Sequence, residues 1–468
     1  MRFTAFTFAL RLSPAEEQAV RRHAGAARFS YNQGLALLNE AYQAHKQDLT
    51  VKVPYSGFDL INAFNAWKRS PAAGQAADGT PGLPWRNEVL AQVFEEALVD
   101  LGRGVKGFFD ARKQGGARKR GFPTFKKRGR TKESFRVRNK KAEVRIEADH
   151  IRLPRLGALR VWESTRRLRR MLRLGPDGQA RAKVLFATVS QTAGRWYLRI
   201  NVEAAALHPA MQHPAQAAAP AMGIDRGLHT FAVGATATGE EVLRETAPKP
   251  LAQKLRVLRR ASRRLARKEK KPSKRRAKAR RRLARLHAKV ARIRSAFVHT
   301  LSSRVVKTHA HVALEDLHVA GMLKNRSLAR SISDAAWSGF ASQVVYKGAW
   351  RNCQVTLVDR FYPSSKKCHR CGYTLQELPL SQRVFECPEC GLVCDRDTNA
   401  AANCALFAEQ KHAAVKQMEA KNARGGEGSG CILGDAVKPA PVRRERWTPS
   451  RGYPTSGKDG VGMNVNAL

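Results

Sequence analysis

Four cysteines stand as two Cys-x-x-Cys pairs, Cys368 with Cys371 and Cys387 with Cys390, separated by fifteen residues and each followed by a glycine, Gly372 and Gly391. Four thiolates at this spacing fill a tetrahedral shell around one Zn2+ and leave no position for water, so the zinc is expected to be structural. In so small a module the metal supplies on the order of 10 kcal/mol of folding energy. Cys394 lies close by but is left out of the ligand set. All eight cysteines fall beyond residue 350. That clustering favours metal over a disulfide framework and points to a reducing cytoplasm.

Three acidic positions fall where elements should meet loops. Asp225 ends the apolar run Met222-Gly223-Ile224, Glu315 ends His311-Val312-Ala313-Leu314, and Asp395-Arg396-Asp397-Thr398-Asn399 opens an alanine-rich helix. Singly, each has an ordinary explanation: a turn, an exposed strand end, a helix cap. Together they suit phosphodiester hydrolysis by two divalent ions about 3.5–4 Å apart, one activating water and the other stabilising the leaving oxygen, because such ions need converging carboxylates. The order strand-Asp, strand-Glu, helix-start-Asp matches an RNase H-like nuclease.

The rest of the chain is cationic. Its 468 residues carry 86 Lys and Arg against 38 Asp and Glu, a formal charge of +48, which repels itself unless phosphates neutralise it. Nucleic acid is therefore the expected partner. A membrane is excluded, since no run approaches the roughly 20 apolar residues of a spanning helix. Between 254 and 294, 21 of 41 positions are Lys or Arg and Glu269 is the one acid. Leu255, Leu258, Ser262 and Leu265, then Leu283, Leu286, Val290 and Ile293, repeat one helical spacing, so two basic helices should pack as a hairpin. Its cations Arg259, Arg260, Arg263, Arg264, Arg275, Arg276, Arg280 and Arg281 are candidate phosphate contacts, as are Arg118, Lys119, Arg120, Lys126, Lys127 and Arg128 upstream. Phe122, Phe125 and Phe135 lie among the upstream set, available for stacking on bases or for core packing.

These groups need a scaffold. Phe6, Phe8, Leu10 and Leu12 alternate at period two, which predicts an opening strand over 2–12 rather than a secretory signal. Ser13-Pro14-Ala15-Glu16-Glu17 starts a helix, and helical patterns cover 13–47 and 86–113. Beyond residue 121 the texture is β-like. The predicted fold class is α+β and multidomain: residues 1–203 as a β-barrel or sandwich with an inserted helical module at about 13–115, a linker at 204–221, and an α/β domain at 222–410. That domain carries strands at 222–226, 230–235, 311–315 and 354–358, the basic hairpin, and a zinc module at 366–392. Residues 411–468 read as a disordered tail.

Four ordered segments resemble the TnpB family, the insertion-sequence OrfB proteins that are RNA-guided RuvC endonucleases related to compact type V CRISPR effectors. They are Gly223-Ile224-Asp225-Arg226-Gly227, Leu314-Glu315-Asp316-Leu317, Tyr362-Pro363-Ser364-Ser365-Lys366-Lys367-Cys368-His369-Arg370-Cys371-Gly372 and Asp395-Arg396-Asp397-Thr398-Asn399-Ala400-Ala401. The likeness extends to Gly121–Lys126 and to 322–337. It implies that Asp225, Glu315 and Asp397 bind Mg2+, two ions, in a RuvC-like site. Asp397 is preferred to Asp395 because the family pattern places the essential acid two residues before Asn. It also implies a wedge-like barrel, a guide RNA, a double-stranded DNA target and a flanking DNA motif. The basic hairpin and the 204–221 segment look enlarged for the family. A non-cleaving repressor or transposition accessory on the same fold is the alternative, and a transposase acting without RNA is a third possibility.

Overall fold

Strand β1 (Arg2–Ala9) forms where the sequence alternates, with Phe8 buried and Thr7 exposed. The structure is a computed structural model that describes residues 2–75, 79–113, 121–174, 180–204, 213–268, 273–379 and 381–424. After β1, the Ser13 hydroxyl accepts from Glu16 N at 3.3 Å and the Glu16 carboxylate accepts from Ser13 N at 2.7 Å. This capping box, with proline at the first helical position, starts α1 (Pro14–Gln47). Helices α2 (Gly57–Arg69) and α3 (Ala91–Lys113) follow, the former not anticipated from periodicity.

The chain then returns to β structure: β2 (Ser134–Arg138), β3 (Arg145–Ile146), β4 (His150–Leu153), β5 (Gly157–Arg160), helix α4 (Arg166–Leu172), β6 (Ala182–Thr192) and β7 (Arg195–Ala204). These strands make two sheets, an antiparallel β1-β7-β6-β2 and a smaller β3-β4-β5. The expected barrel is therefore corrected: no closed barrel forms among the described residues. The physical reason lies in what covers the larger sheet. Helices α1 and α3 lay Val20, Leu35, Phe94 and Leu98 into one core with Phe135, Val137, Leu198 and Ile200. Arg136 pairs with Glu96 at 3.0 Å and Arg138 with Glu96 at 2.9 Å, which fixes β2 beneath α3. A helix layer buries the apolar face that closure would otherwise bury. Phe135, 4% exposed, belongs to this core and is not available to bases.

The segment read as a linker contains α5 (Pro214–Ala218), whose buried Gln216 donates to the Val306 carbonyl at 3.1 Å; residues 205–212 lie outside the described residues. A second sheet then assembles from β8 (Met222–Asp225), β9 (Ala232–Ala235) and β10 (Glu241–Glu245). The basic helices α6 (Pro250–Ala266) and α7 (Lys274–Thr308) pack against each other, with Leu258, Ala261 and Val290 buried. After them come β11 (His311–Glu315), α8 (Val319–Met322), α9 (Ala329–Ala335), α10 (Trp337–Arg351) and β12 (Gln354–Val358). The sheet order is β10-β9-β8-β11-β12, with β8, β11 and β12 parallel and β9 and β10 antiparallel. A short hairpin, β13 (Val384–Glu386) and β14 (Val393–Asp395), leads into α11 (Arg396–Arg424).

Period two divides the faces of this sheet. Met222, Ile224, Val312 and Leu314 pack with Val298, Leu301 and Val305 of α7 and Phe340 and Val344 of α10. Val233 and Ala235 meet Ala401 and Ala402 of α11, while Ala313 and Val358 meet Cys404 and Ala408. The described residues up to Lys411 make one compact unit. Helix α11 continues to Arg424, past the boundary at 410 drawn from sequence, and residues 425–468 lie outside the described residues.

Candidate metal centres and nucleic-acid surface

On β8 the alternation that turns Met222 and Ile224 to the α7 and α10 side turns Gly223 and Asp225 to the opposite side. On β11 Ala313 and Glu315 likewise face α11. The strands are parallel neighbours with Leu314 opposite Ile224, so Asp225 and Glu315 occupy adjacent strand ends on one face. Asp397 stands in the first turn of the helix covering that face. Gly223 permits the approach: a Cβ there would lie 2.0 Å from the Ala401 carbonyl and 2.3 Å from Ala405 N. The small side chains of Ala400–Ala402 then let the helix rest almost backbone to backbone on β8.

The electrostatics follow from this crowding. Burial first, then the charges of Glu315 and Asp397, push the Asp225 carboxyl up to about 8. Asp225 is half-buried by exposed area, so its surroundings are dense but the site retains an opening to solvent. Ser364 donates its hydroxyl to Glu315 Oε1 at 2.5 Å. The buried Arg226 guanidinium donates to the Glu315 and Trp337 carbonyls.

Asp395 and Asp397 differ in what they touch. Asp395 Oδ1 accepts from Asp397 N at 2.9 Å and Thr398 N at 3.0 Å and lies 3.3 Å from Arg244 Nη2. It is the helix cap. The Asp397 carboxylate has no hydrogen bond or ion pair among the described residues and stands half-buried. The capping role considered for Asp397 thus falls to its neighbour.

The four cysteines lie on two knuckles of the same geometry. Gly372 N donates to the Cys368 carbonyl and Gly391 N to the Cys387 carbonyl, each at 3.0 Å, with both glycines at positive φ (83° and 67°). The sulfurs of Cys368, Cys371, Cys387 and Cys390 all lie within 4.8 Å of one another, with Cys371 and Cys387 3.5 Å apart and Cys368 and Cys390 3.7 Å apart. Zinc–sulfur bonds of about 2.3 Å in a tetrahedron place sulfurs at nearly this separation, so the donor set fits zinc. Among the described residues this is the one cluster of His, Cys, Asp or Glu tight enough for a single ion, and the three carboxylates are not drawn together as closely. Cys394 packs in the small core with Phe385, Leu378 and Leu392.

Sequence reasoning missed the residues that join the two centres. Asn399 Nδ2 donates to the Lys367 carbonyl at 2.8 Å, and its Oδ1 accepts from His369 N at 3.2 Å. Asn403, one turn on, donates to the Ser364 carbonyl at 2.9 Å and also to that of Lys367. Both asparagines are fully buried. Polar residues four apart in an alanine-rich run were the available signal, since such a face must meet hydrogen-bonding groups. Glu241, Arg244 and Thr398 form a second tie between β10 and α11: Arg244 Nε donates to Glu241 Oε1 at 2.7 Å and Thr398 Oγ1 to Glu241 Oε2 at 2.8 Å. No local pattern marks that contact.

Of the candidate phosphate contacts, Arg118, Lys119 and Arg120 lie outside the described residues. Lys127, Arg128, Arg259, Arg260, Arg263, Arg264, Arg275, Arg280 and Arg281 are exposed, and no described carboxylate forms an ion pair with any of them. Arg276 is half-buried. Lys126 places its ammonium 3.4 Å from the centre of the Tyr31 ring, and its backbone exchanges two hydrogen bonds with Asn32. On α6, Arg256, Arg260, Arg263 and Arg267 line one open depression. Phe122 and Phe125 are 37% and 50% exposed. No described helix is long and apolar enough to cross a membrane.

The OrfB_IS605 family, described as "Probable transposase", matches residues 200–326. The "Cas12f1-like, TNB domain" family matches 337–404, and a "Helix-turn-helix domain" family matches 1–47, which fold here as β1 and the single helix α1. "Putative RNA-guided DNA endonuclease InsQ" of Escherichia coli (strain K12) is 32% identical over 417 residues, covering 86% of this chain and 91% of that protein. "Putative RNA-guided DNA endonuclease Rv2885c" of Mycobacterium tuberculosis (strain ATCC 25618 / H37Rv) is 29% identical over 418 residues, 86% of each. Among solved structures, a Cas12f1–sgRNA–target DNA complex aligns with TM-score 0.47 and 14% identity over 86% of this chain and 98% of that one.

Proposed function

The chain belongs to the TnpB (OrfB) family, related to the type V effectors, and on that premise we propose that it is an RNA-guided DNA endonuclease with a RuvC-like, RNase H-like active site. The observation that carries the reading is the shared face of Asp225, Glu315 and Asp397: two adjacent parallel strand ends under the first turn of α11. An all-carboxylate donor set suits a hard cation, and these three residues would hold Mg2+, two ions by the family's chemistry. When bound, the metal supplies charge that activates water and stabilises the leaving oxygen.

The chain's own residues prepare that site. Ser364 holds one Glu315 oxygen. Arg226 ties the ends of β8 and β11 to the start of α10 through backbone carbonyls, and its charge partly offsets those of Asp225 and Glu315. Asp397, without a hydrogen bond or ion pair to its carboxylate among the described residues, is available as a ligand, whereas Asp395 is consumed in capping and in the Arg244 pair. The zinc knuckles serve as a brace, since Asn399 and Asn403 anchor them to the helix bearing Asp397.

Exposed cations of α6 and α7 and the Lys127–Arg128 turn would hold the phosphates of guide RNA and target DNA. Base pairing by the guide would read the sequence, and the protein would recognise a short flanking motif. The test is Asp225→Ala in the full chain with its copurified RNA. RNA retention should match the parent, while cleavage of a matching DNA falls at least about 10³-fold. Undiminished cleavage by that variant would remove Asp225 from the site.

A further inference from the structure

A cluster of cations lies where β1 and α4 meet α7 and α10, and among the described residues no carboxylate forms an ion pair with Arg2, Arg167, Lys347 or Arg351. Arg2 sets its guanidinium 5.6 Å from the centre of the Trp350 ring, beside Arg351. Phe6, on the same face of β1 as Arg2, carries the Arg167 guanidinium at 5.8 Å. Lys347, 8% exposed, donates to the His299 carbonyl at 2.8 Å, Ser302 Oγ at 2.6 Å and Ser303 Oγ at 2.9 Å, all neutral acceptors. Arg2 Nε is buried and has no hydrogen-bond partner among the described residues.

Every charge that bears most on this junction has one sign. Burial, then Arg351 and Arg167, lower the Arg2 pKa. Burial, then Arg167, Arg351 and Lys307, push Lys347 down to about 8. Desolvating cations with no opposing charge is unfavourable unless an anion arrives. The exposed hairpin can spread its charge into water. This junction, partly closed by Trp350 and Phe6, cannot.

We propose that the junction seats a phosphodiester of the bound nucleic acid among Arg2, Arg167 and Arg351, with Lys347, whose three N–H groups are already donated, adding positive charge. The three arginines come from the first sheet's layer (β1, α4) and from α10, which packs on the second sheet. One bound phosphate therefore ties the two sheets together, and binding stabilises their docked arrangement. The inference rests on the nucleic-acid part of the proposed function and is independent of the three acids.

The experiment compares the full chain, Arg167→Gln/Arg351→Gln, and the charge-keeping Arg167→Lys/Arg351→Lys. Probes are the RNA that copurifies with the protein and a double-stranded DNA containing its match, titrated from low to high salt. For the Gln pair, affinity should fall about tenfold or more, and the slope of log K against log salt should become shallower by about 1 per cation removed. The Lys pair should stay near the parent. Without nucleic acid, the Gln pair should melt at or above the parent, because repulsion is relieved. Loss on the RNA probe alone places the guide in the seat, and loss on the DNA probe alone places the target there. An unchanged slope for the Gln pair, an equal loss in the Lys pair, or a lower melting temperature without nucleic acid overturns the seat. A flat salt response in the parent sinks the nucleic-acid reading itself.

Discussion

The cysteine quartet and the carboxylate trio flank the same segment of α11, yet they are built on opposite principles. Four sulfurs from within two dozen residues converge to 4.8 Å because each knuckle folds on its own local hydrogen bonds. Three carboxylates come from strands and a helix far apart in sequence, and burial first, then their mutual charge, raises the Asp225 carboxyl. Local geometry can make a tight metal site with little help. A site of like charges must be held by its surroundings, here by Gly223, Ser364, Arg226, Asn399 and Asn403.

Removing zinc should have the largest effect. Cys368→Ser should drop bound zinc from about one per chain to none and forfeit on the order of 10 kcal/mol of local folding energy. The knuckles would become open to protease, and because Asn399 and Asn403 lose their acceptors, DNA cleavage should fail too. Cys394→Ser, outside the quartet, should keep its zinc. A Cys368→Ser protein that binds metal and resists protease across the knuckles would make the two centres independent.

Next comes the helix-to-strand approach. At Gly223→Ala the added methyl meets the Ala401 carbonyl and Ala405 N, so α11 must shift. The expected cost is about 3 kcal/mol, the upper range for overpacking, read as a shift in denaturant midpoint. Cleavage should fall further than stability alone explains, because Asp397 rides on the displaced helix. Gly121→Ala, whose Cβ would meet nothing within 4 Å, is the control and should stay within about 0.5 kcal/mol. Equal activity for the two variants would mean that the backbone contact does not set the site.

What the sequence disclosed follows the same division. The short apolar runs ending at Asp225 and Glu315 are local, and both segments are strands. The capping box at Ser13 and Glu16 and the seam through Leu258 and Val290 are equally local. Barrel closure was not legible, because it depends on whether β2 and β5 find partners or are covered by helices, a matter of residues such as Phe94 and Phe135 meeting across the chain. β10 escaped notice since Glu241-Val242-Leu243-Arg244-Glu245 buries only Leu243, too little for an alternating signal. The ties through Arg244, Ser364 and Asn403 each span tens of residues or more and leave no trace in any short window.

The smallest stability effect separates two neighbouring acids. Asp395 accepts two backbone N–H groups of the first turn and faces Arg244, so Asp395→Ala should cost about 1 kcal/mol, the usual loss for an N-cap. The Asp397 carboxylate has no hydrogen bond or ion pair among the described residues, so Asp397→Ala should leave the denaturant midpoint nearly unchanged or raise it slightly as repulsion on Asp225 is relieved. Activity should rank the other way. Asp397→Ala should abolish cleavage, while Asp395→Ala keeps a measurable rate under conditions where the protein stays folded. Asp395→Asn, which retains the capping oxygen, should recover most of the lost stability. If Asp395→Ala proves the inactive variant and Asp397→Ala cleaves, the two carboxylates have exchanged roles and the metal set must be redrawn around the helix cap.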